Sequence, residues 1–110
     1  MGKDAKAYLS DILLSIKLIE HHVTGINNSA EFQENFLVSD AVLRRLAIIG
    51  EALAKAIKIN PSIKVTYQKK IIALRHIVVH DYDKVDEQII WPVIKIYLPL
   101  LKEEIEKLII

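Results

Sequence analysis

The chain has no cysteine. Disulfide frameworks, thiolate ligands and cysteine nucleophiles are therefore excluded. No apolar run approaches the ~18 residues of a membrane span. The opening residues Met1-Gly2-Lys3-Asp4 lack the apolar core of a signal peptide, and Lys6 stands where N-myristoylation needs Ser or Thr. The expectation is a cytoplasmic protein without membrane association. An excess of charge is missing as well. The formal net charge is +1, so any contact with nucleic acid must come from a local patch and not from the whole surface. Arginine is scarce: of 15 Lys and Arg residues, only Arg44, Arg45 and Arg75 are arginines. Strand signals are nearly absent, as are repeats, linkers and low-complexity segments.

What is present is apolar and helical. Hydrophobic residues make up 52% of the 110 positions. That length predicts a single domain spanning residues 1–110. A domain this small buries only part of its surface, so much of the apolar content is expected to serve a subunit interface as well as a core. The expected architecture is all-α, an up-down bundle of four to five helices that forms a homodimer.

The helices follow from three-four spacing. Leu9, Ile12, Leu13, Ile16, Ile19 and Val23 predict a first helix over 4–24, capped by Asp4 and stopped at Gly25. Asn28 with Glu31 reads as a capping box for a short turn, while Ser39 competes as the start of the second main helix. That helix carries Leu43, Leu46, Ile49, Leu53 and Ile57 and stops at Asn60-Pro61. Gly50 inside it implies the close approach of another helix, and Glu51 beside it reads as an inward-facing acid. Thr66 is the expected cap of a third helix ending near His80. Asp86 opens a fourth, in which Pro92 and Pro99 predict a bend or a broken turn.

Arg75-His76-Ile77-Val78-Val79-His80-Asp81-Tyr82 places an arginine, histidines and a tyrosine in an apolar setting. Arg75 is a permanent cation whose planar fork suits phosphate. His80 can move a proton near neutral pH. A cation with a proton shuttle is the minimum equipment for breaking a phosphodiester without a metal. On one continuous helix, five residues give ~7.5 Å of rise and about 140° of rotation, so Arg75 and His80 diverge. They converge if the helix frays before His80, or if two chains share one site. Two chains also supply two histidines, one as base for a 2′-hydroxyl and one as acid for the leaving oxygen. The bland alternative is that Arg75 pairs with Glu51 and His80 caps a helix end.

Other clusters carry less. His76 and His80 have helical spacing for a metal, but Ile77 stands where a zinc hydrolase needs Glu, and no third ligand is visible. Asp81, Asp83 and Asp86 do not match a calcium loop, since Val85 and Asp86 fall where Asp or Asn and then Gly are needed. Neither a metal site nor a cofactor is expected. His21 and His22 suit the end of the first helix. Trp91, Tyr8, Phe32 and Phe36 read as core or interface anchors. Lys69, Lys70, Arg44 and Arg45 form either a local phosphate-positioning patch or ordinary solvated helix faces.

The spacing Arg-x4-His-x-Tyr resembles the motif of the HEPN superfamily, and specifically of HepT-like toxins. Ile48-Ile49-Gly50-Glu51-Ala52 is similar to that family's Gly-Glu-Ala element. Residues 85–91, from Val85-Asp86 to Trp91, with Leu98-Pro99-Leu100, are similar to its stretch after the motif. The resemblance implies a HEPN-like bundle. It implies the toxin of a toxin–antitoxin pair, a metal-independent endoribonuclease with Arg75 and His80 catalytic at a dimer interface. It further implies a minimal nucleotidyltransferase antitoxin that attaches AMP to Tyr82. Glu51 and His76 are the supporting candidates; His76 stands where the family usually has Asn. The alternative is a non-catalytic HEPN-like module that only docks with a nucleotidyltransferase.

Overall fold

The computed structural model describes residues 4–80 and 87–109, without the side chains of 77–80 and 87–88. Helix α1 spans Ala5–His22. The Asp4 carboxylate accepts the Ala7 N–H at 2.8 Å, as an N-cap should. Leu9, Ile12, Ile16 and Ile19 form its buried stripe. Gly25 ends the approach to the next element with φ +86°, a conformation glycine adopts without steric cost.

The next two helices differ from expectation in one useful way. Asn28 caps α2, Ser29–Glu34, by accepting the Glu31 N–H at 2.9 Å. The Glu31 carboxylate reaches back to the N–H of Asn27, one residue beyond the usual capping-box partner. Helix α3, Phe36–Ile59, starts neither at Asn28 nor at Ser39. Asn35 is its cap, taking the Val38 N–H at 3.1 Å. Ser39 lies within the first turn, its hydroxyl donating back to the Phe36 carbonyl. At the other end Asn60 closes α3 as expected.

Residues 60–67 lead into α4, Gln68–His80, and bury Ile63 and Val65 on the way. Thr66 is not the cap that its position suggested. Its N–H and its hydroxyl both donate to Glu104, 38 residues further on. The long-range carboxylate outcompetes local capping because it satisfies two donors at once.

Helix α5, Glu87–Pro92, runs into a π-helical turn, Val93–Tyr97, and then α6, Leu98–Ile109. The break expected from the two prolines is this turn. The Leu98 N–H donates to the carbonyl of Val93, five residues back. Pro99 follows at once; it has no N–H, and its ring would press on the Lys95 carbonyl in a regular helix. Widening the preceding turn removes that conflict.

Cross-helix contacts give the topology. Lys55 on α3 lies over the ring of Tyr8 on α1. Lys102 on α6 pairs with Glu20 on α1 at 3.1 Å. Thr66 meets Glu104, and Lys70 on α4 meets Tyr97. The four long helices therefore alternate up and down, α1 against α3, α3 against α4, and α6 back against α1. They close over one core in which Ile12, Ile19, Phe32, Leu46, Ile49 and Leu53 are fully buried. Tyr8 and Trp91 pack partly buried against it, whereas Phe36 is 76% exposed and belongs to the surface.

Candidate active site

Gly50 sets the site's geometry. A Cβ there would lie 2.8 Å from the Ile71 carbonyl oxygen and 2.9 Å from the Arg75 nitrogen. Helices α3 and α4 thus touch backbone to backbone at that level, which only glycine allows. The close approach is what brings the next residue, Glu51, within reach of Arg75.

Arg75 is half-buried and gripped at two points. Its Nη1 lies 3.6 Å from Oε2 of Glu51. Its Nε donates to Nε2 of His76 at 3.2 Å. For His76 to accept there, a neutral ring must carry its proton on Nδ1. Glu51 is not the inward-facing acid that its sequence position suggested; its side chain is 48% exposed and is shared with Lys55 at 3.8 Å. Exposed pairs of this kind contribute at most about 1 kcal/mol, less in salt. Their effect is on the direction of the guanidinium, not on stability.

His80 is the last residue of α4. Its side chain, and Tyr82 altogether, lie outside the described residues. The structure thus brings together Arg75, His76 and Glu51, and it says nothing of how His80 and Tyr82 join them. Lys55 as a second partner of Glu51 went unread, although its four-residue spacing on a helix is an ordinary pairing signal. Among the described residues, no cluster of three or more His, Cys, Asp or Glu is placed to hold a metal, and no helix is long and apolar enough to cross a membrane.

A family model described as ribonuclease HepT-like matches residues 12–108. The chain belongs to the HepT-like ribonuclease family. Its relatives in this family include a protein of Methanocaldococcus jannaschii named "Gamma-glutamylcyclotransferase and putative RNase", 38% identical over 109 residues. That alignment covers 98% of this chain and 49% of the relative, so the chain spans about half of that longer protein. A second protein of the same organism, named "Putative RNase", is 33% identical, with 94% of this chain and 95% of the relative covered. A Thermococcus cleftensis protein named "Probable ribonuclease HepT" is 34% identical over 98% of both chains. No solved structure matches. The HepT-like match runs through α3 and α4, so Gly50, Glu51, Arg75 and His80 all lie inside it.

Proposed function

We propose that this chain is a metal-independent endoribonuclease and the toxin of a toxin–antitoxin pair, with Arg75 and His80 as its catalytic residues. The observation that carries the reading is the grip on Arg75: a HepT-like chain holds its one motif arginine between Glu51 and His76, little more than a turn before the end of α4. A guanidinium fixed in this way is prepared to stabilise charge gathering on phosphorus oxygens. His80 supplies the proton transfer. One histidine per chain covers one of the two transfers, so a dimer, in which two such sites face each other, completes the reaction. The attacking group is the 2′-hydroxyl of the RNA itself, the product is a 2′,3′-cyclic phosphate, and DNA is inert.

Tyr82, two residues past His80, is the proposed acceptor of AMP from a nucleotidyltransferase antitoxin. Each added phosphate brings negative charge near Arg75 and competes with the substrate. The second reading, a non-catalytic module that docks with a nucleotidyltransferase, finds support in the same Arg75–Glu51 pair, because a structural arginine is often held so.

Cleavage of a tRNA pool in EDTA, with a DNA control, separates the two. The expected result is RNA cleavage by the parent and loss of about 10²–10⁴ in rate for His80→Ala and Arg75→Ala, with both variants folded. Parent-like cleavage by either variant refutes the assignment.

A further inference from the structure

The motif accounts for one arginine, and the fold places another near it. Gly50 lies level with Ile71–Arg75 of α4, and α3 and α4 run antiparallel. Seven residues back along α3 and seven forward along α4 bring positions 43–44 level with residue 80. Arg44 is therefore beside the last turn of α4. It also lies seven residues before Glu51, two helical turns within about 20°, so it shares the α3 face from which Glu51 reaches Arg75.

Arg44 is also unengaged. It is exposed, and among the described residues it makes neither a hydrogen bond nor an ion pair. Several other cations are committed, Lys55 to Glu51, Lys70 to Tyr97, Lys95 to the face of Trp91 and Lys102 to Glu20; what sets Arg44 apart from the other exposed cations is its position beside the last turn of α4. The offset between the levels of Arg75 and Arg44 is about four residues of helix, roughly 6 Å. That is comparable to the step between neighbouring phosphates in an extended single strand. Arg45 is directed elsewhere; it is half-buried and a third of a turn away.

We infer that Arg44 binds an RNA phosphate adjacent to the scissile one, on the α3 side of the site. This rests on the ribonuclease reading. Arg75 acts on the reacting phosphorus, and Arg44 holds the strand in register through a bidentate contact to the neighbouring phosphate. Among the four cations of the basic patch suggested by the sequence, the geometry selects this one.

The test uses a labelled 2′-O-methyl RNA, which keeps the phosphates but lacks the attacking hydroxyl, titrated by anisotropy across a salt series. Arg44→Ala should weaken binding roughly ten-fold. It should also flatten the plot of log affinity against log salt by about 0.7, the value for one phosphate contact on a single strand. Arg44→Lys should restore the salt slope while recovering only part of the affinity. Lys58→Ala, on the same α3 face but at the opposite end of the bundle, should bind as the parent does. On cleavable RNA, Arg44→Ala should raise KM with little change in kcat, whereas Arg75→Ala lowers kcat. A parent-like salt slope for Arg44→Ala, or an equal loss for Lys58→Ala, overturns the inference and leaves the ribonuclease reading standing. Failure of the parent to bind or cut RNA overturns both.

Discussion

At the scale of single residues, the two grips on Arg75 differ in strength. The Glu51 contact at 3.6 Å is long and solvent-screened, while the His76 contact at 3.2 Å is a hydrogen bond. Removing the charge of Glu51 therefore has a small expected effect. Glu51→Gln should lower kcat by up to about five-fold, leave KM and Tm near those of the parent, and show its effect chiefly at low salt. Steady-state rates across ionic strength measure this. His76→Asn keeps a polar group that can hold Arg75 Nε through its amide oxygen, and should retain most of the activity. Tyr82→Phe addresses the proposed switch. It should cut RNA like the parent, gain no mass with ATP, magnesium and the nucleotidyltransferase, and escape silencing. Covalent silencing of that variant would place the acceptor elsewhere.

At the scale of helices, the contact at Gly50 is the one that positions the site. Gly50→Ala puts a methyl group within 2.8 Å of a backbone oxygen, where no side chain can yield. Helix α4 must move away or tilt. The expected cost is about 1–3 kcal/mol of stability, read by denaturant titration, and activity should fall further than stability alone explains because Glu51 loses its reach. Much of this was legible in the sequence. A glycine inside an otherwise strong helical pattern announces a close neighbour, and three-four spacing located the long helices. What the sequence left open has physical reasons. Asn28, Asn35 and Ser39 are all competent caps; in the fold Asn35 caps α3, and Phe32 just before it is buried in the core. Thr66 looked like a cap because nothing local reveals that Glu104 will claim its hydroxyl. The bend or broken turn expected from the prolines is the widened turn before Pro99; that it takes π-helical form reflects the proline ring acting on the turn before it. The Arg75–Glu51 pairing is among the readings the sequence offers, and His76 enters as a supporting candidate from the family resemblance. His80 is singled out by its proton chemistry and by the motif, Tyr82 by the motif alone.

At the scale of the whole molecule, part of the apolar content lies outside the core. Phe36, Leu37 and Ile89 are 76%, 87% and 61% exposed, and all three lie toward the end of the bundle where α4 finishes. A proposed dimer through this end would set two His80-bearing helix ends near each other. Light scattering should give a dimer for the parent and a monomer for Leu37→Asp, which should also lose RNA cleavage while keeping its helical signal. A parent that is monomeric at micromolar concentration would sink the two-chain site. The clasp between Thr66 and Glu104 bears on a different question, the order in which the molecule is made. The ribosome releases α4 well before α6, and Glu104 joins Thr66 from 38 residues downstream. A nascent chain therefore carries its whole motif before it has the carboxylate that pins the start of that helix. The contact that ties the start of α4 to α6 is thus one of the late events of folding during synthesis.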